Sequence, residues 1–363
     1  MYKILITGNY QKDYNRDLVV FEGLKQVGAA LTFFPYAKKS TTLATQIHKI
    51  AQENDFVYLP SFTHADVAFV KKAIGKKPLL FDPLISRYLS KVFDYNQVWR
   101  YSPRALKNYG KDYFALHKAD LVLADTPSHK NYYIKTFRLA PEKICVVPVG
   151  VDTQIFFPKK VQAVSDATEK KPFLVGFYGS FAPLQGVLKI AQAAHLLQTQ
   201  YADRLMERQI HFQIIGDGFE HQKLKDFLDK HALQNFDWIG NVAYEKLPTY
   251  IQSWDLALGI FGESLKADLV VPNKVYHYLA CKICTLTKQS PAMQELFETG
   301  RELQTCLNTP ESIAENIYYL LKNQEIREKI AEAGYQKVVA AYPALAIGQK
   351  IVEGYELFRS KSY

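Results

Sequence analysis

The sequence predicts an α/β protein made of two doubly wound, Rossmann-like domains with parallel sheets. Short apolar, partly β-branched runs alternate with helical patterns along the chain, as successive βαβ units do. A polar stretch of mixed charge, PKKVQAVSDATEKK, interrupts this alternation from 158 to 171. The alternation then resumes, and 363 residues are enough for two domains with separate cores.

Taken in order, the first half offers as strands KILIT (3–7), DFVYLP (55–60), PLLFD (78–82), DLVLAD (120–125) and KICVVPV (143–149). DLVVFEGLKQVGA is the first helical stretch between them. The second half offers FLVGFYG, HFQIIGDG, FDWIG, DLALGI and ICTLT, each followed by a helical pattern. From Pro310 onward the chain reads as helix, with a break near Pro343. The expected organisation is a first domain over 1–157, a linker over 158–171, a second domain over 172–342 and a terminal helix over 343–363.

No apolar run is long enough to span a bilayer. MYKILITGNY reads as a first strand instead of a signal peptide, so a cytoplasmic location is expected. The four cysteines fit that compartment without disulfides. Cys281 and Cys284 have no second pair at metal-ligand spacing, so no metal site is expected there.

Charge is unevenly spread. Residues 1–160 hold 24 Lys or Arg against 13 Asp or Glu, a balance of +11, while the remainder holds 21 against 23, a balance of −2. A basic first half suggests an acidic partner for that domain, such as an anionic membrane surface or a lipid-diphosphate acceptor met by Lys38-Lys39, Lys71-Lys72 and Lys76-Lys77. Solvated helix ends are the alternative. No recognisable nucleic-acid-binding motif accompanies the charge, so nucleic acid is not an expected partner.

Open parallel sheets bind ligands beyond the carboxyl ends of their strands. Two such domains facing one another would put the chemistry in the cleft between them. GSFAPLQG, from Gly179 to Gly186, follows a strand and precedes a helix, which suits a phosphate; an ordinary tight turn is the alternative. Gly216, Asp217 and Gly218 end the next strand on the same side. In the first half, Gly8 and Asn9 end strand one, and Arg16 opens the following helix, where it would meet an anionic acceptor or a donor phosphate, or form a capping salt bridge. Asp82 ends a strand before Pro83, as base for an acceptor hydroxyl, as acceptor of a hydrogen bond from a bound sugar, or as a turn residue. His129 reads as a helix-start residue.

The segment VPVGVD (147–152), followed in order by FLVGFYGSFAPLQGVLKIAQAAHLL, HFQIIGDG, FDWIGNV, LPTYIQSWDLAL, VPNKVYHYLACKICTLT and the closing YELF, resembles the GT-B glycosyltransferases. The resemblance is to the family 4, or group 1, branch. It implies a nucleotide-sugar donor, UDP- or GDP-linked, held by the second domain, and transfer to a glycan or lipid-linked hydroxyl with retention of configuration. It also implies that the terminal helix returns to the first domain, and that main chain at Ile239, Gly240 and Val242 receives the base. Asn273 joins the same donor set.

This chain departs from the family at five places. Ser180 and Gln185 stand where relatives carry Arg and Lys. Leu269 and His277 stand where relatives carry two glutamates, the second implied to hold the ribose hydroxyls; His277 would hydrogen-bond them through a ring nitrogen, or stand as a packed residue beside Tyr276 and Tyr278. A leaving diphosphate needs positive charge. Lys274 is the expected replacement, with backbone amides at Phe181 and Gly186 and Mg²⁺ as further sources. Glu263 and Asp268 are the nearest acids. Lys282 stands at a position usually held by Gly. The expected function is glycosyl transfer in cell-envelope polysaccharide or glycolipid synthesis, with Asp82, Lys274 and His277 at the chemistry. The alternatives are a sugar-nucleotide or glycan binding protein with a degenerate site, and a GT-B phosphorylase or sugar-nucleotide hydrolase.

Overall fold

A computed structural model describes residues 1–159, 171–202 and 209–361. Packing divides the chain into two units. The first comprises Met1–Asp152, Leu269–Val271 and the chain from Tyr342 onward; the second comprises Thr153–Asp268 and Pro272–Ala341. The expected linker lies mostly outside the described residues. Phe156 and Phe157 already belong to the second unit, because the Phe156 ring stacks on His277 and the Phe157 carbonyl accepts from Gln252 Nε2 at 2.7 Å.

The first unit is built on six parallel strands, β1 (Lys3–Gly8), β2 (Ala30–Pro35), β3 (Phe56–Leu59), β4 (Leu79–Phe81), β5 (Leu121–Ala124) and β6 (Ile144–Val146), in the order β2-β1-β3-β4-β5-β6. Its inner strands are apolar on both faces, as a sheet covered on both sides requires. Period-two alternation sends Ile4 and Ile6 to one core with Val20, Leu24 and Ile351, and Leu5 to the opposite core with Ile47 and Val70. The helix Ala344–Lys361 packs on the helix Asn15–Gln26 through glycine. A Cβ on Gly23 would lie 2.0 Å from the Ala344 carbonyl oxygen, and one on Gly348 would lie 2.2 Å from that of Gly23.

The second unit holds β7 (Phe173–Gly179), β8 (Ile210–Gly216), β9 (Phe236–Gly240), β10 (Leu256–Leu258), β11 (Thr285–Lys288) and β12 (Gln304–Cys306), all parallel. Their order is β12-β11-β10-β7-β8-β9. A core runs from Phe173, Val175 and Phe177 to the helices Val187–Gln200 and Pro310–Lys322.

Two strands, β2 and β12, are not legible in the sequence. Both are sheet edges. The β2 residues are mostly half-exposed and end on Pro35, and β12 is three residues with two polar side chains, so neither shows the apolar run that marks an inner strand.

Candidate functional site

In the second unit the strand order reverses at β7: β8 and β9 extend one way, β10 to β12 the other. The crevice beyond the carboxyl ends of β7 and β10 is where such a sheet binds ligands. The chain leaves β7 at Gly179, and Phe181 follows with a left-handed backbone (φ +46°). That costs energy for a residue with a Cβ. Burial of the Phe181 ring, centred 6.3 Å from Phe177 and 5.7 Å from Trp238, holds it there.

Gly179 has no room for a side chain. A Cβ there would lie 1.8 Å from Gln185 Oε1 and 2.7 Å from Lys274 Nζ. Neighbouring loops close on it equally tightly, since a Cβ on Gly216 would lie 1.8 Å from the Gly179 carbonyl oxygen. Glycine at these positions is therefore a packing requirement, and it brings the ends of β7 and β8 and the Lys274 helix together.

Lys274 enters this spot from the first turn of the helix Asn273–Ala280. The side chain is buried, with Nζ 3.7 Å from the centre of the Phe177 ring and 3.1 Å from Gln185 Oε1. No carboxylate among the described residues pairs with it. Burial holds its ammonium well below the ordinary lysine range. The same Gln185 amide donates through Nε2 to Ser180 Oγ at 3.2 Å. Ser180 and Gln185, the two positions that lack the expected cations, thus form one hydrogen-bonded chain with Lys274. Gly186 corrects one expectation: its N–H is taken by the Pro183 carbonyl at 3.2 Å, so its amide is not available to a phosphate.

His277 takes the packed alternative, not the sugar-contacting one. It is buried, its ring lies flat on Phe156 with centroids 3.7 Å apart, and its Nδ1 is 2.6 Å from the Tyr178 hydroxyl. Burial lowers it to about 3, so the imidazole is neutral. It is an interior packing residue and not an exposed clamp for sugar hydroxyls. Leu269, at the other glutamate position, belongs to the first unit, where its carbonyl accepts from Thr126 Oγ1 at 2.5 Å. Glu263 and Asp268 are each paired, with Lys189 at 2.5 Å and with Lys288 at 2.7 Å.

Asp217 is half-exposed beyond β8, where its carboxylate accepts from His221 Nδ1 and from the Gly218 N–H, both at 2.7 Å. Those two bonds hold it below the usual carboxylate range. Ile239 is exposed and Gly240 has φ +76°, with Val242 half-buried just beyond. Trp238 Nε1 donates to the Gly216 carbonyl at 2.8 Å and ties this edge to the Gly216 loop. Asn273 is half-buried at the start of the helix that carries Lys274.

In the first unit, Arg16 and Asp82 are brought together and both are buried. Arg16 Nε donates to Asp82 Oδ2 at 2.9 Å, and its other nitrogens donate to the carbonyls of Val147, Pro148 and Val149. Asp82 also accepts from the Tyr58 hydroxyl at 3.2 Å and from the Leu84 N–H at 2.9 Å. With its oxygens so engaged, Asp82 is not placed as a base for an acceptor hydroxyl, and Arg16 is not placed to meet one. The pair fixes the segment that leaves the first sheet. Gly8 is buried, and Asn9 is exposed, its N–H donating to Asp66 Oδ2 at 2.9 Å. His129 starts a helix capped by Thr126, as expected, and its Nδ1 lies 2.6 Å from Asp125.

Sequence reasoning misses a buried polar group beyond β3 and β4. Ser86 Oγ donates to Asp112 Oδ2 at 2.6 Å, and His64 Nε2 lies 3.8 Å from Asp112 Oδ1. Burial raises Asp112 to about 6 and lowers His64 to about 4. Nothing in the spacing of residues 64, 86 and 112 announces that they meet. The lysine pairs are also partly absorbed. Lys39 binds Asp66 at 2.9 Å, Lys71 binds Asp120 at 2.5 Å, and Lys77 donates to the Asn54 carbonyl at 2.5 Å. Among the described residues, no cluster of His, Cys, Asp or Glu is arranged to hold a metal ion, and no helix is long and apolar enough to cross a membrane.

Residues 194–352 match a family model described as glycosyl transferase-like. Over 236 residues, 60% of this chain, the sequence is 20% identical to an uncharacterised glycosyltransferase of Methanocaldococcus jannaschii, and the match spans 61% of that protein's length. Among solved structures, Anabaena HepE in complex with UDP-glucose superposes with a TM-score of 0.72 at 17% identity, covering 98% of this chain and all of that one. The sucrose-phosphate synthase of Thermosynechococcus elongatus gives 0.73 at 12% identity, covering 99% and 100%. The chain thus has the GT-B fold of these structures, and its second half is similar to glycosyl transferases.

Proposed function

We propose that the protein transfers a sugar from a UDP-sugar, bound beyond β7 and β10 of the second unit, to a hydroxyl of a glycan or lipid-linked acceptor. Its setting would be cell-envelope polysaccharide or glycolipid synthesis, on the cytoplasmic side of the membrane. The observation that carries the reading is Lys274: a buried amine, unpaired by any carboxylate among the described residues, at the strand end where this fold receives a phosphate. The UDP and UDP-glucose complexes of HepE favour uridine over guanosine as the base.

In this reading the bond between the sugar carbon and the β-phosphate oxygen breaks with its electron pair staying on the diphosphate, a bond from the acceptor oxygen to that carbon forms, and the hydroxyl proton passes to the departing diphosphate. Lys274 meets the growing charge. Its charged form is disfavoured by burial before the donor binds and favoured beside phosphate, so donor binding raises its affinity for a proton. The Phe181 N–H, at a backbone fixed in the left-handed region, is the second donor. Ser180 and Gln185 hold the lysine in place by hydrogen bonds.

Calorimetric titration with UDP, GDP, ADP and UDP-glucose, in two buffers of different ionisation enthalpy, tests this. UDP binding that weakens in Lys274→Met, with any proton linkage reduced in that variant, is the expected result. Failure of every nucleotide to bind would overturn the donor site. The burial of His277 at a glutamate position favours a second reading, a sugar-nucleotide binding protein without turnover. Tight UDP-sugar binding with no UDP release in the presence of any acceptor would select it.

A further inference from the structure

The segment from Lys91 to Lys118 carries a surface unlike the rest of the first unit. Trp99, Tyr101, Leu106 and Phe114 are 71%, 69%, 71% and 62% exposed. Between and beside them stand Lys91, Arg100, Arg104, Lys107, Lys111 and Lys118, all exposed. The acids of this stretch, Asp94 and Asp112, are both buried. The surface is therefore apolar and cationic with no exposed carboxylate.

The arrangement is ordered. On the helix Pro103–Lys118, residues advance about 100° each, so Leu106 and Phe114 occupy one side of the exposed arc and Lys107, Lys118, Lys111 and Arg104 the other. Ala105, Asp112, Ala115 and Leu116 face inward. Trp99 and Tyr101 meet edge to face, with centroids 5.4 Å apart, just before the helix, and the Arg100 guanidinium lies 4.7 Å from the Tyr101 ring centre. A hollow of about 380 Å³ opens there between Tyr88, Tyr101, Leu106 and Tyr109.

We propose that this surface docks the protein onto an anionic lipid bilayer. Exposed apolar side chains beside a row of cations suit the boundary between headgroups and acyl chains, where Trp and Tyr are also at home. Lysines and arginines there gain from the negative surface potential, and the lack of acids removes any opposing repulsion. A single-stranded nucleic acid would also find cations and rings, but it has no use for Leu106. The proposal stands on the first unit alone and is independent of the donor site in the second.

Flotation of the full chain with phosphatidylcholine vesicles, with and without phosphatidylglycerol, tests it. Binding should require phosphatidylglycerol and weaken with salt. R104E/K107E/K111E and L106S/F114S should each lose roughly tenfold or more in partitioning, with melting curves unchanged because these side chains are exposed. In the unaltered chain, brominated phosphatidylglycerol should quench fluorescence, and W99F should abolish that quenching. Equal binding to neutral vesicles, full binding by both multiple variants, or tighter binding to a single-stranded oligonucleotide than to vesicles would overturn the proposal.

Discussion

Lys274 Nζ donates to Gln185 Oε1 at 3.1 Å, and no other side-chain hydrogen bond among the described residues anchors it. A lysine so buried opposes folding while its amine is charged, and its value lies in what it meets on binding. Lys274→Met, similar in volume and uncharged, should therefore raise the melting temperature of the protein measured without donor while lowering turnover by about 10²–10³-fold, the usual cost of removing one such electrostatic group. The sign with pH follows. The unfolded lysine takes its proton at 10.5 and the folded one only at lower pH, so stability rises with pH between those values and should do so less in the variant. Calorimetric melts alongside a UDP-release assay give both readouts. A less stable Lys274→Met protein would contradict the burial argument.

A second buried charge has the opposite character, because Arg16 is fully paired. Removing it strands Asp82 and leaves the carbonyls of Val147, Pro148 and Val149 without their donor. Breaking a buried ion pair from one side costs about 3–5 kcal/mol, whereas replacing both partners with apolar groups costs far less. R16M and D82L should each be strongly destabilised, with R16M/D82L closer to the parent than either single variant. Denaturant melts of the three proteins measure this. Additive losses would show that the two side chains act separately.

How far the sequence discloses these features depends on the range over which each is encoded. Strand β1 is legible because alternation within six residues sends Ile4 and Ile6 to one face and Leu5 to the other. Lys274 is singled out only through the resemblance, as a cation beside a position where relatives carry others, and its burial is not written in its neighbours. The partnership of Arg16 with Asp82 spans 66 positions and leaves no trace in either neighbourhood, so Arg16 reads as a ligand contact or a helix cap and Asp82 as a strand-end base or turn residue, each without the other. His277 is misplaced by the sequence for a related reason. Its helix is legible locally, but its orientation is set by Phe156 and Tyr178, which lie far from it along the chain. The cationic face of residues 91–118 is diluted in a half-chain charge count that also includes lysines already paired.

His277 makes the second unit sensitive to acid. Its folded value is about 3 against 6.5 unfolded, a depression caused by burial. Its contribution is fully present above pH 6.5 and is lost as pH falls from there toward 3, at about 1.4 kcal/mol for each pH unit. In the first unit His64, lowered to about 4, acts in the same direction, while Asp17 and Asp112, raised to about 7 and about 6 by burial, act in the other. Those carboxyls stabilise below their unfolded value and lose that contribution as pH rises through 6 to 7. His277→Phe should keep the stack on Phe156 and flatten the acid slope of the second unit alone. Hydrogen exchange followed by unit between pH 4 and 7 reads this directly, and an unchanged slope would show that His277 is charged in the fold.

The helix Asn273–Ala280 ends in a Schellman arrangement: the Ile283 N–H donates to the Tyr278 carbonyl at 3.0 Å and the Lys282 N–H to that of Leu279 at 2.9 Å. The residue after the cap in this motif adopts the left-handed region, and Lys282 has φ +60°. A residue with a Cβ is disfavoured there by about 1–2 kcal/mol, and glycine avoids most of it. The opposing contribution is small. Lys282 Nζ pairs with Glu332, but both side chains are about half exposed, and such solvent-screened pairs add little to stability. Backbone strain should therefore outweigh the lost ion pair. K282G is expected to raise the melting temperature of the second unit by about 2–4 °C, with E332Q separating the ion pair from the backbone effect. If K282G melted lower by more than E332Q does, the ion pair would have to be the larger effect and the cap would carry little strain.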